Sequence, residues 1–179
     1  MQYRRCILPG GTFFFTVVTH ERFPYFRDET AIELMEDAIR YVQKRHPFTV
    51  LAFVYLPDHL HMLWQLPEGD SDYPTRWSLI KSYFSRKFPN RPLVTSQSRQ
   101  SKGEQGIWQR RYWEHTCCDQ QDIEHHLDYI HYNPVKHGYV IKPNLWKYSS
   151  LNRFVSEGLC SLDWAVEIPV RLDIDMEGE

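Results

Sequence analysis

His59 and His61 stand one residue apart in the run His59-Leu60-His61. On a β-strand, where successive side chains alternate between faces, that spacing turns both imidazoles to the same side of a sheet. Two adjacent imidazoles suit a transition metal, and they also serve Mg²⁺ or Mn²⁺ where carboxylate or phosphate oxygens complete the shell. A pair of half-buried polar residues on a strand has the same spacing, so the motif gains meaning only beside others. A second set lies in Asp128-Tyr129-Ile130-His131-Tyr132-Asn133-Pro134. Tyr129 and Asn133 are four residues apart, so on a helix a phenol and an amide oxygen share one face. An ordinary amphipathic helix can carry the same pair. Pro134 disfavours helical geometry at the residue before it, which puts Asn133 at a helix end. His125 and His126 precede Tyr129 by four and three positions and could lie near it, with a solvated helix face the expectation for at least one.

These residues need elements to hold them. Thr12 to Thr19 (TFFFTVVT) is aromatic and β-branched and follows Gly10-Gly11, which predicts a buried strand. From Asp28 to Arg45 apolar residues recur three and four apart at Ile32, Met35, Ile39 and Val42, a helix with Asp28 as its N-cap. Phe48 to Leu56 and His59 to Leu66 read as two strands joined by a Pro-Asp turn, hence a hairpin. Thr75 to Phe88 reads as an amphipathic helix with a basic side, Pro89 to Gly106 as a long polar loop, and Ile107 to Cys118 as a fourth strand. Asp119 to Asn133 is a helix stopped by Pro134. The order β-α-β-β-α-β, with added C-terminal helices, predicts an α+β, ferredoxin-like sandwich: an antiparallel sheet with helices packed on it.

The length of 179 residues fits one domain, expected over 1–164, with 165–179 as an acidic tail. A net charge of -2 taken alone argues against nucleic acid, but the charges are unevenly placed. From Arg76 to Trp113 nine basic residues face one acid, an excess of +8; from Phe154 to Glu179 seven acids face one Arg, an excess of -6. The total therefore says little about the working surface. Cys6, Cys117, Cys118 and Cys160 form no C-x-x-C pair, which is neither a disulfide framework nor a zinc knuckle. Without a signal core or a run of about 20 apolar residues, a reducing cytoplasm is the expected compartment.

The two constellations and their surroundings resemble the single-tyrosine HUH transposases, most closely the REP-associated tyrosine transposases of bacteria, within the IS200-like group. The resemblance is carried by Tyr3-Arg4-Arg5, Gly10-Gly11, Leu56-Pro57-Asp58-His59-Leu60-His61 and Leu66-Pro67-Glu68-Gly69-Asp70. It continues through Trp108 to His115 (WQRRYWEH) and Asp128 to Gly138 (DYIHYNPVKHG). It implies that His59 and His61 ligate a divalent metal, Mg²⁺ or Mn²⁺, that Tyr129 is the nucleophile, and that Asn133 is a third ligand. It further implies that the substrate is single-stranded DNA folded as hairpins, the repetitive extragenic palindromes, which the enzyme cuts and rejoins as a transposase. The resemblance is compatible with a monomer or a homodimer.

Such chemistry agrees with the residue types. A metal offsets charge on the phosphodiester, and attack by Tyr129 would leave a covalent 5'-phosphotyrosine and a free 3'-hydroxyl, a step that needs no ATP. Recognition needs cations interleaved with rings, and the basic segment offers Arg76, Lys81, Arg86, Arg110 and Arg111 among Trp77, Tyr83, Phe84, Trp108, Tyr112 and Trp113. Trp77, Phe84 and Trp113 are expected in the core. Arg4 and Arg5 could reach hairpin phosphates. Two other functions fit the same residues: a metal-dependent hydrolase using His59, His61 and a third histidine such as His115, and a nucleic-acid binder without catalysis. The acidic tail could compete with DNA for the basic surface.

Overall fold

The structure, a computed structural model, describes residues 10–89, 97–101 and 106–161. Arg4, Arg5, Cys6 and the tail 165–179 lie outside the described residues. Four strands, β1 (Thr12–Val18), β2 (Thr49–Tyr55), β3 (His59–Gln65) and β4 (Trp113–Cys117), form one sheet in the order β2-β3-β1-β4. Every neighbouring pair is antiparallel. The two central strands are buried along almost their whole length, which explains why β1 is a continuous apolar run rather than an alternating one.

Helices cover both faces. Helix α1 (Glu29–Gln43) starts at Asp28, whose side chain accepts from Thr30 N, and buries Ala31, Ile32, Met35, Ala38, Ile39 and Val42. Helix α2 (Tyr73–Lys87) starts at Asp72, which accepts from Thr75 N, with Pro74 in its first turn. The two helices pack with Phe13, Phe15, Leu60, Met62 and Trp64 into one core. On the other face Phe14, Ala52, Val54 and Leu63 form a second core with Tyr129 and Ile130 of α4 (Gln120–Lys136). A short α3 (Gln97–Gln100) lies within the stretch expected to be loop, and α5 (Leu151–Ser156) follows α4.

The chain is thus the α+β sandwich its pattern predicts, β-α-β-β-α-β with further helices, and two boundaries differ. The fourth strand is shorter than expected. Trp108 makes only an isolated bridge to Thr19, because its indole is drawn into the α1–α2 core, where Nε1 donates to Ser85 Oγ at 3.1 Å. Helix α4 is longer than expected and runs through Pro134 to Lys136. A proline inside a helix removes the bond to the carbonyl four residues back. Here the next turn closes all the same: Gly138 N donates to Val135 O at 2.9 Å and Tyr139 N to Pro134 O at 2.9 Å. Gly138, at φ +71°, supplies the left-handed residue that this double-bonded helix ending requires. Among the described residues, no helix is long and apolar enough to cross a membrane.

Candidate active site

The period of two on β3 points Leu60, Met62 and Trp64 into the α1–α2 core and leaves His59, His61 and Leu63 for the face beneath α4. His61 stands opposite Thr16 on β1, and Thr16 Oγ1 and His61 Nδ1 share a hydrogen bond of 2.9 Å. His59 Nδ1 donates to Asp58 Oδ1 at 2.6 Å, and Arg22 Nη1 donates to Asp58 Oδ2 at 3.2 Å. The loop carrying Asp58 is pinned by Thr19, whose backbone N and Oγ1 both donate to Asp58 O, at 2.9 and 2.8 Å. Burial works to raise the Asp58 carboxyl, but His59 and Arg22 outweigh it and hold the group at about 2. Arg22 reaches Asp58 from a backbone in the left-handed region, φ +51°, next to Glu21 at +53°. Two consecutive non-glycine residues there are a local strain of the kind found at functional sites.

The two imidazole rings lie 5.0 Å apart and nearly perpendicular. His59 Nε2 is buried and makes no hydrogen bond; His61 Nε2 and Asn133 Oδ1 are also buried polar atoms without a hydrogen bond, although both residues have other contacts. Burying such an atom unsatisfied costs about 1–3 kcal/mol. Two imidazole nitrogens and an amide oxygen fit a divalent metal, which would satisfy them.

Helix α4 lies over this pair. Tyr129 is 1% exposed, with its ring 5.2 Å from His61 and 5.9 Å from Phe14. Lys136 Nζ donates to the Tyr129 hydroxyl at 3.3 Å and sits 4.9 Å over its ring. Asn133 lies inside the helix rather than at its end and is fully buried, so Tyr129 and Asn133 do share a face. His137, next after the helix, packs its ring 5.2 Å from His59. Lys136 and His137 extend the spacing of Tyr129 and Asn133 by one more turn, a signal hidden by reading Pro134 as a stop. Asp58 had no sequence signal beyond its place before His59.

The remaining expectations divide. Arg76 is corrected: it is 2% exposed, and its guanidinium makes five hydrogen bonds inside the protein, to Asp70 (twice), Asp72 O, His46 O and Pro47 O. Arg76 therefore ties α2 to the preceding loop and is not a DNA contact. Lys81 is half-buried between the Trp108 and Tyr112 rings, 5.7 and 5.3 Å away, and donates to Gln109 O at 3.2 Å. Burial lowers its ammonium to about 8. Arg86, Arg110 and Arg111 are exposed. Trp77 and Phe84 are fully buried as expected, whereas Trp113 is only half-buried. His115 is not a third member of the His59–His61 pair: it sits on β4, across β1 from β3, where it donates to Asp122 Oδ2 at 2.8 Å. His115 therefore does not serve as the third histidine of a hydrolase cluster; the ring that packs on His59 is His137. His125 is exposed and His126 buried.

Known proteins resemble this chain in sequence and in fold. The sequence model of the IS200-like transposases matches residues 12–133, which include both histidines, Tyr129 and Asn133. A REP-associated tyrosine transposase of Escherichia coli strain K12 is 39% identical over 167 residues, 93% of this chain and 92% of its own length. A protein of Haemophilus influenzae strain Rd, provisionally described in the same terms, is 42% identical over 162 residues, 90% of this chain and 92% of its own. The solved structure of a REP-associated tyrosine transposase bound to a REP hairpin superposes with a TM-score of 0.79 at 37% identity, covering 100% of this chain and 97% of that one. By sequence and by fold, the chain belongs to the REP-associated tyrosine transposases of the IS200-like family, enzymes that process DNA.

Proposed function

We propose that the protein cuts and rejoins single-stranded DNA hairpins, the repetitive extragenic palindromes, with Tyr129 as nucleophile and Mg²⁺ or Mn²⁺ held by His59, His61 and Asn133. The observation that carries this reading is the meeting of Tyr129 with His61 at 5.2 Å between rings, beneath one helix. When bound, a divalent ion would offset the negative charge that builds on the non-bridging phosphate oxygens. Tyr129 Oη forms a bond to phosphorus as the bond to the 3'-oxygen breaks, and the 3'-hydroxyl leaves with a proton. The product is a 5'-phosphotyrosine that the same hydroxyl can reverse or another can resolve. Lys136 donates to the Tyr129 hydroxyl and would offset the charge on that oxygen during attack. Asp58 fixes the tautomer and orientation of His59. Arg86, Arg110 and Arg111 supply phosphate contacts, with Arg4 and Arg5 added from the N-terminus. A solved relative bound to a REP hairpin supports the substrate class. Cys117, Cys118 and Cys160 carry thiols rather than disulfides, in keeping with the cytoplasm.

Incubation with a palindromic hairpin carrying single-stranded flanks and Mn²⁺, followed by denaturing gels and mass mapping, tests the reading. One covalent adduct on Tyr129 is expected, lost in Tyr129→Phe while hairpin binding stays within about threefold, a change below 1 kcal/mol. Full cleavage by Tyr129→Phe, or an adduct on Tyr132 or Tyr139, would overturn it. Binding without any adduct would leave a DNA-binding protein without catalysis.

A further inference from the structure

A second group of metal-type donors occupies the same sheet face, beside the first turns of α4. Alternation along β4 brings His115 and Cys117 to one side, and one helical turn brings Asp122 and His126 together. One donor atom from each of the four residues lies within 4.8 Å of all the others. His115 Nε2 donates to Asp122 Oδ2 at 2.8 Å, His126 Nδ1 lies 3.0 Å from Asp122 Oδ1, and Cys117 Sγ is 4.0 Å from His126 Nδ1. His126 Nδ1 also donates to Asp122 O at 2.8 Å, and Cys118 N donates to Asp122 Oδ2 at 2.9 Å. The two imidazoles stack at 4.7 Å. Cys117 and His126 are about 5% exposed or less, and the other two are half-buried.

We propose that His115, Cys117, Asp122 and His126 bind one zinc-type divalent ion at a site separate from His59 and His61, where the ion ties β4 to the start of α4. The donor chemistry selects the ion: a thiol with two imidazoles and one carboxylate is a four-ligand set for borderline-soft metals, whereas Mg²⁺ and Ca²⁺ take oxygen shells. Tetrahedral ligands at about 2.0–2.3 Å from an ion stand roughly 3.3–3.8 Å apart, so the widest donor pairs, within 4.8 Å, close by about an ångström while the Asp122 contacts at 2.8 and 3.0 Å open slightly. Binding releases the thiol proton and frees one nitrogen on each ring from its bond to Asp122. All four ligands come from the protein, which is the pattern of a closed structural site rather than an open reactive one. Tyr129 follows His126 by three residues on the same helix, and the Phe14 ring packs against both, at 5.9 and 4.6 Å.

Cobalt(II) titration of the full chain tests the site without reference to DNA. One equivalent is expected to give a thiolate-to-cobalt charge-transfer band and the strong visible bands of a four-coordinate ion. The charge-transfer band should disappear in Cys117→Ser and persist in Cys118→Ser and in the double variant His59→Ala/His61→Ala. X-ray absorption at the zinc edge of the unaltered protein gives a reading independent of any variant's folding: one sulfur neighbour at about 2.3 Å is expected. An unaltered protein without a charge-transfer band, a zinc shell of nitrogen and oxygen alone, or a band lost in His59→Ala/His61→Ala would each overturn the site. Loss of DNA cleavage in that double variant with the band retained separates the two metal assignments.

Discussion

Asp58 shows how one carboxylate organises a site. It accepts from His59 Nδ1 on one oxygen and from Arg22 on the other, and its own carbonyl is held twice by Thr19. The imidazole therefore has a fixed tautomer, with Nε2 left for a ligand. Partners of this kind are worth about 10–100-fold in metal affinity. Asp58→Asn keeps the size but weakens the bonds to His59 and Arg22, so Mn²⁺ binding measured by calorimetry should fall by about that factor, with a lower thermal midpoint at neutral pH because the folded state favours the ionised carboxyl. The sequence places Asp58 in the motif before His59 but assigns it no role; that role depends on Arg22 and Thr19, which arrive from another part of the chain. For His59 and His61 the spacing predicted a shared face, but a role for them and for Tyr129 came only from the resemblance carried by the surrounding motifs.

At the scale of elements, α4 concentrates the chemistry. Asp122, His126, Tyr129, Asn133 and Lys136 recur at intervals of three and four, so one stripe, buried at His126, Tyr129 and Asn133, carries both candidate sites. The far side of the helix is anchored differently: His131 shares a hydrogen bond of 2.9 Å with Ser150 Oγ and packs on Phe154 of α5. Burial, and then the charge of Arg153, lowers the His131 imidazole to about 4. The folded state thus holds it neutral. Its contribution is complete above the unfolded value of about 6.5 and drains away as pH falls to about 4, at up to roughly 1.4 kcal/mol per pH unit. Urea unfolding between pH 7 and 4 should show this slope, reduced in His131→Gln. Arg76 makes the complementary point on α2. Arg76→Met leaves the carbonyls of His46 and Pro47 unanswered and should cost about 3 kcal/mol in urea unfolding, while the salt dependence of DNA binding stays the same.

At the scale of the molecule, the +8 segment from Arg76 to Trp113 does not act as one surface. Arg76 is internal, Lys81 is held between two rings, and Lys87 donates to Tyr83 OH at 2.7 Å along α2. Arg86, Arg110 and Arg111 remain exposed, and Arg110 Nη2 donates to Ser98 Oγ at 2.9 Å. If Arg110 and Arg111 each neutralise a phosphate, replacing both by Ala should lower the slope of log affinity against log salt by about 1.4–1.8. Fluorescence anisotropy with a labelled hairpin between 50 and 200 mM salt measures it, and an unchanged slope would remove both from the DNA surface.

Period and residue type alone determined the order of strands and helices, the shared face of His59 and His61, and the pairing of Tyr129 with Asn133. These are consequences of local geometry, which repeats every two residues in a strand and every three to four in a helix. Only the tertiary structure decided which charges are available and which histidines meet. Arg76 and Arg110 look alike as letters, but one is enclosed by backbone carbonyls from the turn at His46-Pro47 and the other is at the surface. His115 was the third histidine named from the sequence, but the sheet order β2-β3-β1-β4 places β1 between His115 and the pair, while the end of α4 brings His137 against His59. Burial and long-range juxtaposition are properties of packing, and no local repeat in the chain encodes them.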